Sequence, residues 1–270
     1  LKPSNAQKEL YLTDSIEIAK NHDKSIEAYT ITNSGELSGA NTKVELANLE
    51  ALRRSEINSA HMLAGITISD PLSTYIDEEV SIAPDCIIGA NTSITGLTTI
   101  GASTKIEGSC VIKNSIIGSN NTIKSFCYLD SVKIADNCQI GPFAHLRPET
   151  DLKSNVKIGN FVEVKKSIIK DGSKANHLSY IGDSEIEENV NVGAGTITCN
   201  YDGVRKHKTH IKQGASIGSN TSLVAPVTIG KNVYIGAGSV ITKDVSDNAL
   251  GIARGKQVEI KDWANKKSKY

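Results

Sequence analysis

Two polar stretches of the sequence combine residue types that can transfer protons and bind anions: residues 171–180 (DGSKANHLSY) and 199–210 (CNYDGVRKHKTH). His177, in the first stretch, is a candidate general base, because an imidazole pKa of about 6.5 suits proton transfer near neutral pH. The simpler interpretation is a histidine that hydrogen-bonds the backbone. In the surrounding sequence an aliphatic residue returns at regular intervals, and both stretches lack it where the next one is due. We therefore expect both stretches to leave the fold as loops.

Two cations outside these stretches could bind a phosphate dianion. Arg147 offers a guanidinium fork and Lys165 a point charge, and together they can hold a doubly charged group. The simpler interpretation is a pair of solvated surface charges. Glu163, two residues before Lys165, either orients a base or an amine or forms a salt bridge with a lysine.

The elements that must position these side chains show a six-residue period. The first run of the repeat consists of Ile82, Ile88, Ile94, Ile100, Ile106 and Ile112, and later runs continue it to Ile241. A period of six fits neither the 3.6 of a helix nor the alternation of a hairpin sheet. Three short strands joined by bends would close a coil of about eighteen residues, and coils stack at ~4.8 Å. We predict a mainly β fold, a parallel β-helix of roughly eight or nine coils over residues 75–248.

The ends of the chain differ from the repeat and set the predicted domain boundaries. Residues 1–42 indicate a helix (11–20), a strand (26–31) and a Gly-containing loop, too little to bury a core alone, so we expect the end of an α/β domain. Apolar spacing predicts a linker helix over 43–65. The β-helix domain should span 66–250, and a lysine-rich tail should follow over 251–270.

Composition excludes some partners. The charges of thirty acidic and thirty basic residues cancel, so the protein has no overall positive electrostatic field that would favour binding to nucleic acid. No apolar run reaches the ~18 residues of a membrane span, and no leader peptide is evident. Four of the five cysteines stand two residues before a repeat aliphatic, which favours buried free thiols and a cytoplasmic location. These are Cys86, Cys110, Cys127 and Cys138, with Cys199 the fifth.

Several motifs are far more specific than the repeat. They are LRPET (146–150), GNFVEVKKS (159–167), GSKANHLSYIGD (172–183), NVGAGTITCNYDG (191–203), GSNTSLVAPVTIG (218–230) and GAGSV (236–240), with NAQKELYLTD (5–14) and GANTKVEL (39–46) near the start. Through them nearly the whole chain resembles the bifunctional bacterial N-acetylglucosamine-1-phosphate uridyltransferase/glucosamine-1-phosphate acetyltransferase (GlmU) family. Two positions depart from the pattern of that family: Glu149 within LRPET, and the ARGKQ surroundings of Arg254.

This resemblance implies a left-handed β-helix that transfers acetyl from acetyl-coenzyme A to the amine of glucosamine-1-phosphate. The product, N-acetylglucosamine-1-phosphate, leads to UDP-N-acetylglucosamine for peptidoglycan and lipopolysaccharide. The resemblance makes His177 the catalytic base. Matched sugar-phosphate positions are Arg147, Lys165, Tyr180 and Asn191, and matched acetyl-coenzyme A positions are Ala194, Asn200, Tyr201, Ser219, Ala237 and Arg254.

The resemblance also bears on what the full-length protein would do. Residues 1–42 resemble the end of a nucleotidyltransferase domain, in which Asn41 matches a residue that helps to hold Mg²⁺. The residue that would complete that metal site is absent from this chain, so uridylyl transfer is expected of the full-length protein alone. A cytoplasmic homotrimer with active sites shared between subunits is implied as well.

Three alternatives share the repeat. A zinc carbonic anhydrase would use histidines, and His207 and His210 lie in one stretch, but no third histidine matches them in phase. A non-enzymatic solenoid scaffold would leave the polar stretches unexplained. Acyltransferases that act on serine, maltose or acyl-glucosamine remain possible on the repeat alone, and the motifs favour the sugar phosphate.

Overall fold

The computed structural model describes residues 6, 8–31 and 39–267, with side chains up to residue 265. The chain divides into two compact units, residues 1–50 and 51–270. Helix α1 (Asp14–Asn21) lies in the first unit, and α2 (Lys43–Leu63) begins there. Parts of the predicted N-terminal features, including the start of NAQKELYLTD and most of the loop after residue 31, fall outside the described residues.

The N-terminal predictions are confirmed for helices and wrong for the strand. Helix α1 overlaps most of the predicted 11–20 segment and ends one residue beyond it, and α2 covers most of the predicted helix over 43–65. Residues 26–31 form no strand, because a strand needs ladder hydrogen bonds from a neighbour and no described residue of this unit supplies them. The tail contains a short helix, α3 (Trp263–Lys267).

Helix α2 begins with a capping box. The Thr42 hydroxyl accepts a hydrogen bond from the Glu45 backbone N–H at 3.1 Å, and the Glu45 carboxylate accepts from the backbone N–H groups of Asn41 and Thr42 at 2.6 and 3.0 Å. These bonds satisfy N–H groups that a helix N-terminus leaves free. They also lower the pKa of Glu45 through the Asn41 and Thr42 backbone donors.

The second unit is a parallel β-helix whose described strands form three sheets, named here A, B and C. Sheet A contains β1 (Thr67–Ile68), β4 (Ile87–Ile88), β7 (Lys105–Ile106), β10 (Thr122–Ile123), β13 (Gln139–Ile140), β16 (Lys157–Asn160), β19 (Lys174–His177), β22 (Asn191–Val192), β25 (Ser216–Ile217), β28 (Tyr234–Ile235) and β30 (Leu250–Gly251). Sheet B contains β2 (Tyr75–Ile76), β5 (Ser93–Thr95), β8 (Val111–Lys113), β11 (Tyr128–Asp130), β14 (His145–Leu146), β17 (Glu163–Lys165), β20 (Tyr180–Gly182), β23 (Ile197–Cys199), β26 (Ser222–Val224) and β29 (Val240–Ile241). Sheet C contains β3 (Ser81–Ile82), β6 (Thr99–Ile100), β9 (Ile116–Ile117), β12 (Lys133–Ile134), β15 (Asp151–Leu152), β18 (Ile168–Ile169), β21 (Ser184–Ile186), β24 (Thr209–Ile211) and β27 (Val227–Ile229).

The six-residue repeat builds the core. Most strands point one aliphatic residue inward, and parallel pairing stacks it on its equivalent in the next coil, as for Ile106 on Ile123 and Ile123 on Ile140. These three side chains are fully buried. The predicted β-helix is therefore confirmed. Ile66 and Ile68 already belong to the core, so the coils begin before the predicted start at residue 75, and the ten described strands of sheet B give ten coils in place of the eight or nine expected.

The corners between sheets need residues that tolerate a left-handed backbone. Asparagine fills many of them, with φ of 56° at Asn91, 57° at Asn120 and 62° at Asn155. Asparagine adopts this conformation at a lower cost than most non-glycine residues. The sequence spacing of aliphatic and turn residues thus fixes both the flat faces and the corners of the coil.

The two polar stretches behave differently. Residues 171–180 do not leave the fold as a loop, so that prediction is wrong. Ala175 occupies the inward position in β19 and is buried. The prediction relied on large aliphatic residues, and alanine does not belong to that pattern. The second prediction is confirmed: Ile197 pairs with Ser222 in the next coil, 25 residues on, whereas Ser222 pairs with Val240 after 18.

The cysteines fill core space, as predicted. Cys86, Cys110, Cys127 and Cys138 are buried, and all five thiols are free in the described part of the chain. Burial raises the pKa of Cys138 to about 11, because a low-dielectric surrounding disfavours the thiolate. None of the helices within the described residues is both long and apolar enough to span a membrane.

The stacked aliphatics should dominate the stability of the β-helix. We expect Ile112→Ala to lower the free energy of unfolding by about 2–5 kcal/mol, because Ile112 is fully buried and its loss leaves a cavity. Ile116→Ala is the matched control, since that side chain is 53% exposed, and should cost less than about 1 kcal/mol. Denaturant unfolding followed by circular dichroism measures both. Equal losses in the two variants would contradict the assignment of the core.

Candidate active site

One corner of the β-helix, between sheets A and B, places several predicted site residues in a line. The backbone carbonyl of His177 accepts from the Gly195 N–H at 3.4 Å, and that of Ala194 accepts from the Asn220 N–H at 2.7 Å. One coil further, the Ser219 carbonyl accepts a hydrogen bond from the Gly238 N–H at 2.8 Å. These bonds join equivalent positions of successive coils, so predicted catalytic and acetyl-coenzyme A positions share one edge.

The line continues to the end of the β-helix. The Arg254 Nη1 donates to the Ala237 carbonyl oxygen at 2.7 Å, which anchors the guanidinium at the same corner. At ~4.8 Å per coil, His177 and Ala237 are ~14 Å apart along this edge. In this monomer the corner stands open at Ser219 and Ala237, whose side chains are exposed. We call the edge formed by residues 177, 194, 219 and 237 the corner line.

The imidazole of His177 has a defined partner. Its Nδ1 lies 2.7 Å from Oδ1 of Asn160, the residue paired with it in the preceding coil. Because an amide oxygen only accepts, a neutral His177 ring with this partner carries its proton on Nδ1 and leaves Nε2 as the accepting nitrogen. This is the tautomer that the predicted role of general base requires. Asn160 was not singled out from the sequence, although it lies in the GNFVEVKKS motif.

A cation cluster lies on the outer surface of sheet B. Lys165 ends β17, Arg147 follows β14 in the adjacent coil, and Lys206 reaches Lys165 from the polar loop. The pKa of Lys165 is lowered, first by the close approach of the Lys206 amine and then by burial and the charge of Arg147, while Asp183 acts in the opposite direction. Positive charges this close favour an anion between them.

Arg147 and Glu163 form the ion pair of this surface. Their Nη1 and Oε1 atoms are 2.7 Å apart, and both side chains are 37% exposed. The simpler interpretation of Glu163, a salt bridge, is thus what the structure contains, with an arginine in place of the lysine. Tyr180 pairs with Glu163 in the next coil, so its side chain lies beside this ion pair.

The polar loop, defined here as residues 201–208, is held by its own hydrogen bonds. Asp202 accepts from the backbone N–H groups of Val204 and Arg205 at 2.8 and 2.6 Å, and its Oδ2 is 2.7 Å from Nε2 of His207. The Arg205 backbone bond is the largest cause of the lowered pKa of Asp202, followed by His207. His207 and His210 each face a carboxylate, since Nδ1 of His210 is 3.7 Å from Glu185.

Asn200, at the entry of the loop, is buried and donates through Nδ2 to the Asp183 carboxylate. Tyr201 is 60% exposed, and its hydroxyl donates to the Gly203 carbonyl at 2.6 Å. Gly182 explains why this region is tight, because an added Cβ there would come within 2.5 Å of the Tyr180 hydroxyl and 2.8 Å of Asn200 Nδ2. A larger residue at this position would therefore displace the Tyr180 and Asn200 side chains.

The predicted site residues therefore fall into two groups within one chain. Arg147, Lys165, Tyr180 and Asn200 lie on or beside sheet B, and the corner line includes His177. Asn191 lies apart, on the outer face of sheet A in β22. Among the hydrogen bonds and ion pairs of the described residues, none joins His177 to Arg147 or Lys165.

The last predicted residue, Asn41, lies directly before the capping threonine of α2. Its backbone N–H bonds Glu45, whose carboxylate is occupied with the helix cap. The described residues contain no group of three or more His, Cys, Asp or Glu side chains that could hold a metal ion. The described residues of this chain alone do not fit a Mg²⁺ site.

The fold and the site define a class of protein, the hexapeptide-repeat transferases. The family described as bacterial transferase hexapeptide (six repeats) matches residues 131–166 and 208–243, and the family described as GMPPB C-terminal domain matches residues 67–147. The first match fits the left-handed form of the β-helix. Of the solved structures, the UDP-N-acetylglucosamine acyltransferase of Arabidopsis has a TM-score of 0.44 and 17% identity over 66% of this chain and 69% of that one, too distant to inform function.

Sequence relatives narrow the class. The bifunctional protein GlmU of Thermosipho africanus is 52% identical over 99% of this chain and 58% of its own length, and that of Geotalea uraniireducens is 49% identical over the same shares. The chain belongs to the GlmU family. It spans a little under three fifths of the length of the curated relatives it matches.

The contact between Lys165 and Lys206 predicts how removal of the Lys206 charge changes the pKa of Lys165. In Lys206→Gln the neighbouring positive charge is gone, so the pKa of Lys165 should rise toward its ordinary value and less free amine should be present at pH 8–9. Labelling of Lys165 by an amine-reactive reagent, followed by mass spectrometry, should then become slower. Lys208→Gln makes the same charge change in the same loop and should leave the rate unchanged. An unchanged labelling rate in Lys206→Gln would show that the Lys206 amine does not act on Lys165.

Proposed function

We propose that this chain is a glucosamine-1-phosphate N-acetyltransferase that uses acetyl-coenzyme A and forms N-acetylglucosamine-1-phosphate, a precursor of UDP-N-acetylglucosamine. The observation that supports it best is the corner line, where a histidine in the tautomer of a base lies one coil from the positions assigned to the cosubstrate. The cation cluster on the adjacent sheet suits the phosphate of the acceptor.

In the proposed reaction the amine of the sugar attacks the thioester carbonyl. Nε2 of His177 takes a proton from the attacking nitrogen, and Asn160 holds the ring in place through Nδ1. The carbon–nitrogen bond forms, the carbon–sulfur bond of the tetrahedral intermediate breaks, and coenzyme A leaves as the thiol after protonation.

The sugar phosphate would bind through Arg147 and Lys165. Arg147 offers two donors to a phosphate in the fork geometry, and Glu163 keeps that guanidinium oriented. Lys165 lies beside the positively charged Lys206. A phosphate dianion between the two amines would offset the repulsion of their charges. Tyr180 and Asn191 would contact the sugar.

Acetyl-coenzyme A would lie along the corner line. Ala194, Ser219 and Ala237 have small side chains, which leave room for a pantetheine arm over ~14 Å of edge. Asn200 and Tyr201 would contact it from the loop entry, and Arg254, already fixed to the Ala237 carbonyl, would meet a phosphate of the nucleotide.

We further propose a cytoplasmic homotrimer with sites shared between subunits. In one chain Asn191 lies on sheet A and Tyr180 on sheet B, and no hydrogen bond among the described residues joins His177 to the cations, so a neighbouring copy would bring these groups to one acceptor. The full-length protein would also transfer a uridylyl group with Mg²⁺ through a domain of which residues 1–42 are the end. A fully active monomer in analytical ultracentrifugation would contradict the shared site.

Removal of the base should stop catalysis and spare binding. We expect His177→Ala to lower turnover by ~10²–10⁴, the usual effect of losing a general base, while acetyl-coenzyme A binds as in the wild type. Release of free thiol with glucosamine-1-phosphate as acceptor measures turnover, and calorimetry measures binding. His210→Ala, on sheet C, is the matched control. A near-normal rate in His177→Ala would refute the assignment.

Removal of the phosphate cation should act on acceptor binding. We expect Lys165→Ala to raise the KM for glucosamine-1-phosphate by ~10-fold or more, as for the loss of a hydrogen bond to a charged group, with a smaller change in kcat. Lys133→Ala, an exposed lysine on sheet C, should change neither. The same thiol-release assay tests both variants, and an unchanged KM in Lys165→Ala would count against phosphate binding there.

A further inference from the structure

Asp183 is a buried carboxylate that the proposed reaction does not use. It directly follows β20, its residue is 7% exposed, and its backbone has the left-handed φ of 48°. A buried ionised carboxylate is costly unless it is well bonded. Its side chain accepts the Nδ2 hydrogen bond of Asn200, and it faces the cation cluster around Lys165.

The hydrogen bonds of Asp183 reach both ends of the polar loop. Asn200, which bonds its carboxylate, is the residue before the loop. Thr209, the residue after the loop, donates its backbone N–H to the Asp183 carbonyl at 3.2 Å. One residue thus joins the two points where the chain leaves and re-enters the β-helix.

The same residue is tied to the strand of the phosphate cation. The Asp183 backbone N–H donates to the Lys165 carbonyl at 3.1 Å. Lys206, inside the loop, reaches Lys165 only if the loop closes over sheet B. A loop of eight residues with free ends would adopt many other conformations, because closing it costs entropy.

We propose that the Asp183 carboxylate is a positioning group that holds the first end of loop 201–208 through Asn200, while the backbone bond from Thr209 fixes the second end, and so keeps Lys206 beside Lys165 for the phosphate of the acceptor. The assignment of the phosphate rests on the proposed function, whereas the clamp itself does not. A purely structural role for Asp183 would lower stability without a selective effect on the loop or on KM.

Limited trypsin digestion tests the clamp without any substrate. The loop contains three cleavage sites, Arg205, Lys206 and Lys208. In Asp183→Ala we expect cleavage within the loop to be about tenfold faster, because one charge-assisted hydrogen bond no longer opposes local opening. Asp183→Asn should stay near the wild type, since its amide oxygen can accept the same bond. Asp171→Ala removes an exposed carboxylate and is the matched control.

Kinetics test the consequence of the clamp. In Asp183→Ala we expect the KM for glucosamine-1-phosphate to rise about tenfold. The kcat should change less than about threefold, because His177 is held by Asn160 at the other corner. Asp183→Asn should restore the KM to within about threefold of the wild type.

The outcomes separate the two proposals. If the wild type transfers no acetyl group to glucosamine-1-phosphate, the proposed function fails, and the trypsin pattern still decides the clamp. Loop cleavage and KM of Asp183→Ala that both equal those of Asp171→Ala would overturn the clamp. If Asp183→Ala does not fold, Asp183→Asn decides, and faster loop cleavage or a raised KM in it would overturn the role of the hydrogen bond.

Discussion

The structure depends on the in-register parallel pairing that stacks one inward aliphatic on the next. Each backbone ladder bond is made with the coil above or below, and each buried isoleucine contacts its own equivalents, as Ile123 contacts Ile106 and Ile140. A shift of one residue would turn the aliphatic face outward. The pairing therefore fixes the register of the paired coils, and a fixed register holds side chains at a regular spacing along each edge.

The corner line follows from that regularity. Successive coils present equivalent backbone positions along an edge, and small residues leave this edge open at Ser219 and Ala237. His177 occupies one such position, and its partner Asn160 occupies the position before it. The repeat that stabilises the protein thus also places the proposed base and the proposed cosubstrate site on one straight edge.

Function requires departures from the repeat, and the polar loop is the main one. Its eight residues break the coil length, and the fold tolerates them because both ends meet at Asp183. The loop brings a third cation to sheet B, where Lys165 and Arg147 already lie. That crowding of positive charge is unfavourable, and the phosphate dianion of the proposed acceptor would offset it.

The sequence by itself determined the β-helix, the free buried cysteines and the linker helix, because a six-residue period and apolar spacing are local properties of the chain. It also marked His177, Arg147 and Lys165 through their residue types and motifs. Only the tertiary structure decided that residues 171–180 stay in the coil, that Asn160 sets the tautomer of His177, and that Lys206 meets Lys165. Those contacts join residues 17 to 41 positions apart, so no local pattern encodes them; they arise when coils stack and a loop closes over its neighbours.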